Sequence, residues 1–197
     1  GVEALSITGD VRRKMEIAGG LEFIATGGEL AVGSLLESLK SSPLLAGESA
    51  EGDTIRMGAG DGVPVRLHVA CGFAGTLFRT TGSPAFLDTV RERARERGFD
   101  LDEILRFADD ESKLFRVLKL KYLEPECREG SEAVAAAAGR RRIELLSTAD
   151  ILGAVHNHTT WSDGVNSTEA MARAAMARGW KYLGIADHSE SAAYANG

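Results

Sequence analysis

The sequence predicts an α/β protein: a small mixed α+β unit, then a helical and basic segment, then a parallel βαβ unit. Three patterns carry that expectation. Residues 1–72 alternate short apolar runs with glycine-rich turns, residues 83–97 place apolar side chains at helical spacing, and residues 151–186 read as strand, helix and strand joined by a short crossover. The expected boundaries are therefore 1–72, 73–148 and 149–197. A chain of 197 residues with 44% apolar composition can bury a sizeable core in one or two domains.

In the first segment, strands are expected at 5–8, 21–26, 54–57 and 63–70, and a helix over 31–40 sets Leu35, Leu36 and Leu39 on one face. In the second, Phe86, Leu87, Val90 and Ala94 recur every three or four residues. Arg91, Arg93, Arg95 and Arg97 alternate with Glu92 and Glu96, and Gly98 supplies the left-handed stop. The expected reading of those arginines is a solvated face laced with local pairs such as Glu92 with Arg95. Further helices are expected at 112–120, ended by Pro125, and at 132–142 as an alanine-rich, then basic tether. In the third, a strand over 151–155 leads to a helix that starts at Asn166-Ser-Thr-Glu169 and stops at Gly179, and a strand over 182–186 follows.

Charge and cysteine usage narrow the class. The formal charge of −6 argues against a generally basic nucleic-acid coat, but fourteen of the twenty-three Lys and Arg residues fall within 73–148. Any phosphate-backbone contact is expected there, through Arg91, Arg95 and the Arg140 to Arg142 cluster. Cys71 and Cys127 share no metal or redox spacing with a neighbour, so both read as free thiols. No apolar run is long enough to span a bilayer and no signal peptide is recognisable; cytoplasmic localisation, with no membrane contact and no obligate protein partner, is the expectation. The chain starts at Gly1 and stops at Gly197 just after a strand, so it is expected to be a piece of a longer protein.

The densest chemistry lies near the C-terminus. Three of the four histidines, His156, His158 and His188, together with Asp163, fall at the ends of two strands expected to be parallel neighbours. Parallel strands lie about 4.8 Å apart, so two such ends can converge on one ion, and imidazoles with a carboxylate form a mixed N/O donor set suited to Zn²⁺ or Mn²⁺. His-x-His at an extended strand end is expected to point both rings to one side, and Asp187, by alternation, away from His188. His68, inside a strand pattern, reads as structural, and Trp161 and Trp180 as packing residues.

A resemblance enters at these residues. His156-Asn-His-Thr-Thr-Trp-Ser-Asp-Gly164 followed by Gly179-Trp-Lys-Tyr-Leu-Gly-Ile-Ala-Asp-His-Ser189 resembles the opening of a PHP domain, a distorted β/α barrel that binds up to three divalent metals and hydrolyses phosphoesters. The resemblance implies that His156, His158, Asp163 and His188 ligate metal and that further ligands come from later strands. Upstream, Gly9-Asp-Val-Arg-Arg13 with Gly19-Gly-Leu-Glu-Phe-Ile24 resembles the palm signature of bacterial family X DNA polymerases. Thr81-Gly-Ser83 before the arginine-rich helix resembles that family's nucleotide-binding turn and thumb. The implied fold is a nucleotidyltransferase palm, a helical thumb and the first βαβ unit of a PHP-type barrel.

Departures from the pattern bear on activity. Gly20 and Glu22 stand where the family places two metal-binding aspartates, Arg66 where it places the third, and Asp10 where it places a serine beside the triphosphate. Phosphoryl transfer on this fold needs clustered carboxylates around Mg²⁺ or Mn²⁺. Arg12 and Arg13 either contact phosphate or form a solvated turn; Gly82 and Ser83 either retain nucleotide contact or form an ordinary helix start; Arg66 is expected to pair with Glu22 across neighbouring strands. DNA is the implied partner, joined by a deoxynucleoside triphosphate if the palm is active. The implied function is that of a DNA-repair protein with a degenerate palm and a phosphoester-hydrolysing PHP domain. The alternatives are an active template-directed polymerase with an unusual metal site, or a non-catalytic DNA-binding scaffold.

Overall fold

The computed structural model describes residues 2–27, 29–51, 54–70, 72–139 and 143–196, and its contacts divide the chain into two compact units, 1–143 and 144–197. Cys71 and Arg140 to Arg142 lie outside the described residues.

The first unit opens with β1 (Val2–Thr8), a short α1 (Gly9–Arg12), β2 (Leu21–Gly27), α2 (Glu29–Lys40), β3 (Leu45–Glu51), β4 (Thr54–Ala59) and β5 (Pro64–Val69). The strands form one mixed sheet in the order β1-β2-β5-β4-β3, with β2 and β5 parallel and the other pairs antiparallel. The period of two sets Phe23, Ala25, Val65, Leu67, Ile55 and Met57 on one face, where Leu35 and Leu39 of α2 help cover them. The opposite face carries Glu22, Arg66 and His68. β3, not among the strands expected from the sequence, is an edge strand without apolar alternation. Its ladder with β4, broken between Ala46 and Ser49, defines it, and a ladder is not a local property.

The helical part comprises α3 (Phe73–Thr81), α4 (Pro84–Glu96), α5 (Leu101–Arg106), α6 (Glu111–Val117) and α7 (Ser131–Ala138). Its core is Phe78, Phe86, Val90, Ala94, Leu101, Leu105, Leu114, Phe115 and Leu118, closed by Leu123 and Val134. Every apolar position expected of the arginine-rich helix faces this core, and Gly98, at φ +77°, ends it as expected. Sequence reasoning missed α3 and α5. Three threonines and a glycine give α3 poor intrinsic propensity, and burial of Ala74, Leu77 and Phe78 overrides it. The pair expected between Glu92 and Arg95 does not form. Arg91 binds Asp88 at 2.9 Å, while Arg93 and Arg97 reach the last carbonyls of α6 at Leu118, Lys119 and Val117. These arginines close a helix C-terminus, where carbonyls lack partners, in preference to a weak exposed ion pair.

The second unit contains β6 (Gly153–Asn157), α8 (Thr168–Ala177) and β7 (Tyr182–Ile185), with β6 and β7 parallel. Ser167 caps α8 by accepting from the Ala170 amide at 3.2 Å, and Gly179 at φ +73° ends it. β6 begins two residues later than the apolar run suggested, because pairing starts at Gly153 opposite Tyr182 and leaves Ile151 and Leu152 exposed. Among the described residues no helix is long and apolar enough to cross a membrane.

Candidate functional site

The polar face of the first sheet is closed by ion pairs. Glu22 sits opposite Arg66 in the parallel ladder; its Oε1 accepts from Arg66 Nη1 at 2.7 Å, and its Oε2 lies 3.1 Å from His68 Nε2, whose Nδ1 lies 3.1 Å from Thr54 Oγ1. The expected cross-strand pairing of Arg66 and Glu22 is present, and His68 is structural in the sense that it completes the same pair. The hydrogen bond from His68, with the charge of Arg66, holds the Glu22 carboxyl below the usual carboxylate range against the opposing effect of burial. Gly20 adopts φ +156°, and a Cβ there would meet the Pro64 carbonyl oxygen at 2.6 Å, so a carboxylate side chain at this position requires the backbone to move.

Arg12 and Arg13 do not form a solvated turn. Arg12 makes a bidentate pair with Glu111, Nη1 to Oε1 at 3.0 Å and Nη2 to Oε2 at 2.6 Å, and also donates to Thr81 Oγ1 at 2.7 Å. Glu111 Oε1 accepts in addition from Arg128 Nη1 at 2.5 Å. The Arg128 side chain is fully buried over the faces of Phe78, Phe115 and Tyr122, and donates to the Leu123 carbonyl at 3.1 Å. Arg13, also buried, binds Glu129, the Thr81 carbonyl and Asp10. Thr8 Oγ1 touches the hydroxyls of Thr80 and Thr81 at 2.7 and 3.1 Å. Burial pushes the Glu111 carboxyl up, but the two guanidiniums outweigh it and the net displacement is downward. This network joins α1 to α3 and α6. Glu111 and Arg128 gave no sequence signal, because their partners lie up to 99 residues away.

Ser83 caps α4, accepting from the Phe86 amide at 3.1 Å and donating to the Glu129 carbonyl at 2.5 Å. Gly82 ends α3 with its amide on the Phe78 carbonyl at 3.1 Å, and a Cβ there would crowd the Phe86 ring. Both residues thus have complete structural roles at the helix junction.

In the second unit the donor set forms around His158, Asp163 and His188, whose ligating atoms lie within 4.8 Å of one another. Asp163 Oδ1 is 3.0 Å from His158 Nδ1 and Asp163 Oδ2 is 3.7 Å from His188 Nε2. That His158 nitrogen is buried and, despite its nearness to Asp163, lacks the angle for a hydrogen bond. An orphaned buried imidazole nitrogen beside a carboxylate and a second imidazole fits a divalent cation. His156 lies outside this group. The ladder breaks between Ala154 and Asn157, His156 takes φ +62°, and its ring stacks on His158 at 5.3 Å between centroids. The regular extended strand end that would aim both rings to one side is therefore replaced by a bulge, which re-aims the side chain.

Asp187 organises the loop that follows His158. Oδ1 accepts from the Thr159 amide at 2.5 Å and Ser162 Oγ at 2.7 Å, and Oδ2 from Thr159 Oγ1 at 2.6 Å. These bonds, led by that of Thr159, hold its carboxyl below the usual range. Asp187→Asn removes one acceptor from a ring of donors, so divalent-ion affinity at the cluster is expected to fall about 10- to 100-fold, measured by competition with a chromophoric chelator. Trp180 is half-buried, with the Arg178 guanidinium 5.8 Å from its ring centre. Trp161 is not a packing residue: it is 79% exposed, because the bonds to Asp187 turn the backbone of this loop and leave its ring outside.

Two comparisons with known proteins bear on this geometry. Residues 76–129 match the DNA polymerase beta thumb family. The chain is also 30% identical over 206 aligned positions to the DNA polymerase/3′-5′ exonuclease PolX of Bacillus subtilis (strain 168), an alignment covering 98% of this chain and 35% of that protein. The chain thus spans about a third of the length of the curated relative it matches. Its mixed sheet and helices are consistent with a polymerase beta-like nucleotidyltransferase palm and thumb, and the comparisons support a relationship to the family X DNA polymerases.

Proposed function

We propose that this chain is the DNA-binding palm and thumb of a family X-like DNA-repair protein whose palm does not polymerise, joined to the first part of a PHP domain that hydrolyses phosphoesters with divalent metal. The observation that carries the hydrolytic half is the grouping of His158, Asp163 and His188 around an imidazole nitrogen that has no hydrogen bond. The name of the B. subtilis relative, which couples polymerase with 3′-5′ exonuclease, favours the 3′ end of a DNA strand as substrate.

His158, Asp163 and His188 would hold the ion, with His156 adjoining, and Zn²⁺ or Mn²⁺ suits these donors. When bound, the ion neutralises charge on the attacked phosphate and makes water nucleophilic near neutral pH. The protein's part is positional. Asp187 holds the Thr159 and Ser162 ends of the loop so that Asp163 faces both imidazoles, and the exposed Trp161 ring sits in the same loop.

For the palm, Glu22 is already engaged by Arg66 and His68, the fixed cation Arg66 repels Mg²⁺, and the conformation of Gly20 excludes a second carboxylate. Primer extension with Mg²⁺ or Mn²⁺ should therefore give no template-dependent incorporation. Incorporation that vanishes in Glu22→Ala would overturn this half. The hydrolytic half is tested by a 3′-exonuclease assay with added Mn²⁺ or Zn²⁺ on the intact parent, with the His158→Ala variant as the comparison.

A further inference from the structure

We propose that α3 and α5 form a phosphate-binding cleft centred on Arg79 and Arg106, and that it is a contact point of the thumb with a nucleic-acid strand or a nucleotide. The inference rests on the DNA-binding reading above and assigns that reading a specific site. It starts from Gly75. A Cβ at this position would overlap the Leu105 carbonyl, so the two helices cross backbone against backbone, a crossing open only to glycine. One turn beyond Gly75 stands Arg79, and next to Leu105 stands Arg106. The close crossing delivers both guanidiniums to one cleft of ≈320 Å³, lined also by Gly72, Thr76 and Asp102.

Both arginines are exposed at the cleft, and neither has a hydrogen-bond or ion-pair partner among the described residues. They differ in this from Arg12, Arg13, Arg91, Arg93, Arg97 and Arg128, which are all tied to carboxylates or carbonyls. In a protein of net charge −6, two guanidiniums in one concave site, neither held in an ion pair among the described residues, are a local reversal of sign. Asp102, one turn before Arg106, is the single carboxylate in the lining, which leaves the cleft with an excess of one positive charge. Planar guanidiniums with several donors suit phosphate oxygens, and the Thr76 hydroxyl adds a neutral donor.

The test uses the 197-residue chain. Addition of inorganic phosphate should give saturable amide shifts at Thr76 and Arg106 in ¹H-¹⁵N spectra, absent from Arg79→Gln/Arg106→Gln. A fluorescein-labelled ten-residue oligothymidylate should bind this variant about 10-fold more weakly, with a salt slope smaller by roughly 0.7, the contribution of one single-strand phosphate. Asp102→Asn should bind several-fold more tightly, a change of sign that impaired folding does not produce. Displacement of the label by dTTP assigns the phosphate to a free nucleotide, and failure of dTTP to displace it assigns the phosphate to the strand. If the unaltered chain binds the oligonucleotide and the double variant binds it with the same affinity and slope, the cleft is refuted while DNA binding stands. Saturable phosphate shifts in a chain that binds no oligonucleotide would support the cleft and refute the DNA reading.

Discussion

Replacing either His158 or His188 by Ala is expected to abolish divalent-ion binding at the second unit, with affinity for Zn²⁺ or Mn²⁺ falling at least about 100-fold, or ~2.7 kcal/mol. Each substitution removes one imidazole from a three-donor group, leaving one nitrogen and one carboxylate, too few to hold a small cation against water. Calorimetric titration of the purified chain with each ion measures the loss directly. On the proposed function, the same substitutions should remove phosphoester hydrolysis and leave oligonucleotide affinity unchanged, because the helices α3 to α7 belong to the other compact unit. His156→Ala should do less, since that ring lies outside the group. Equal ion content and undiminished hydrolysis in His158→Ala would overturn the assignment.

Glu111→Ala is expected to be the most damaging single substitution in the first unit. It strips the shared acceptor from Arg12 and Arg128 and leaves the Arg128 guanidinium fully buried without a counter-charge. Removing one partner of a buried pair typically costs about 3–5 kcal/mol, and for a unit of this size that lowers the melting temperature by roughly 10 °C. Combining Glu111→Leu with Arg128→Met should restore part of the loss, since the stranded charge goes with its partner. Because the folded-state pKa of Glu111 lies below its ordinary 4.5, its contribution is complete above that pH and is lost as the pH falls through the folded value. Thermal melts stepped downward from pH 5 should show a fall in stability that is smaller in Glu111→Gln. A melting temperature within a degree or two of the parent would show that the network is not under thermodynamic load.

Much of this molecule was legible in one dimension. Helical spacing placed Phe86, Val90 and Ala94 in the thumb core, positive-φ glycines ended α4 and α8 where expected, and opposing charges at 22 and 66 announced their own pairing. Those features depend on residues a few positions apart, or on a strand register that hydrophobic alternation sets, so local chemistry determines them. Tertiary structure alone decided the rest. β3 exists because β4 pairs with it, α3 because the thumb core buries its apolar face, and the bulge at His156 because β6 must meet β7 from Gly153 onward. Most of all, Arg12 and Arg13 read as exposed or phosphate-binding until Glu111, Glu129 and Thr81 are brought to them across some 70 to 115 residues of chain. A charge on a sequence has no partner until folding supplies one, and the same folding that engaged those two brought Arg79 and Arg106 to one cleft without a partner among the described residues.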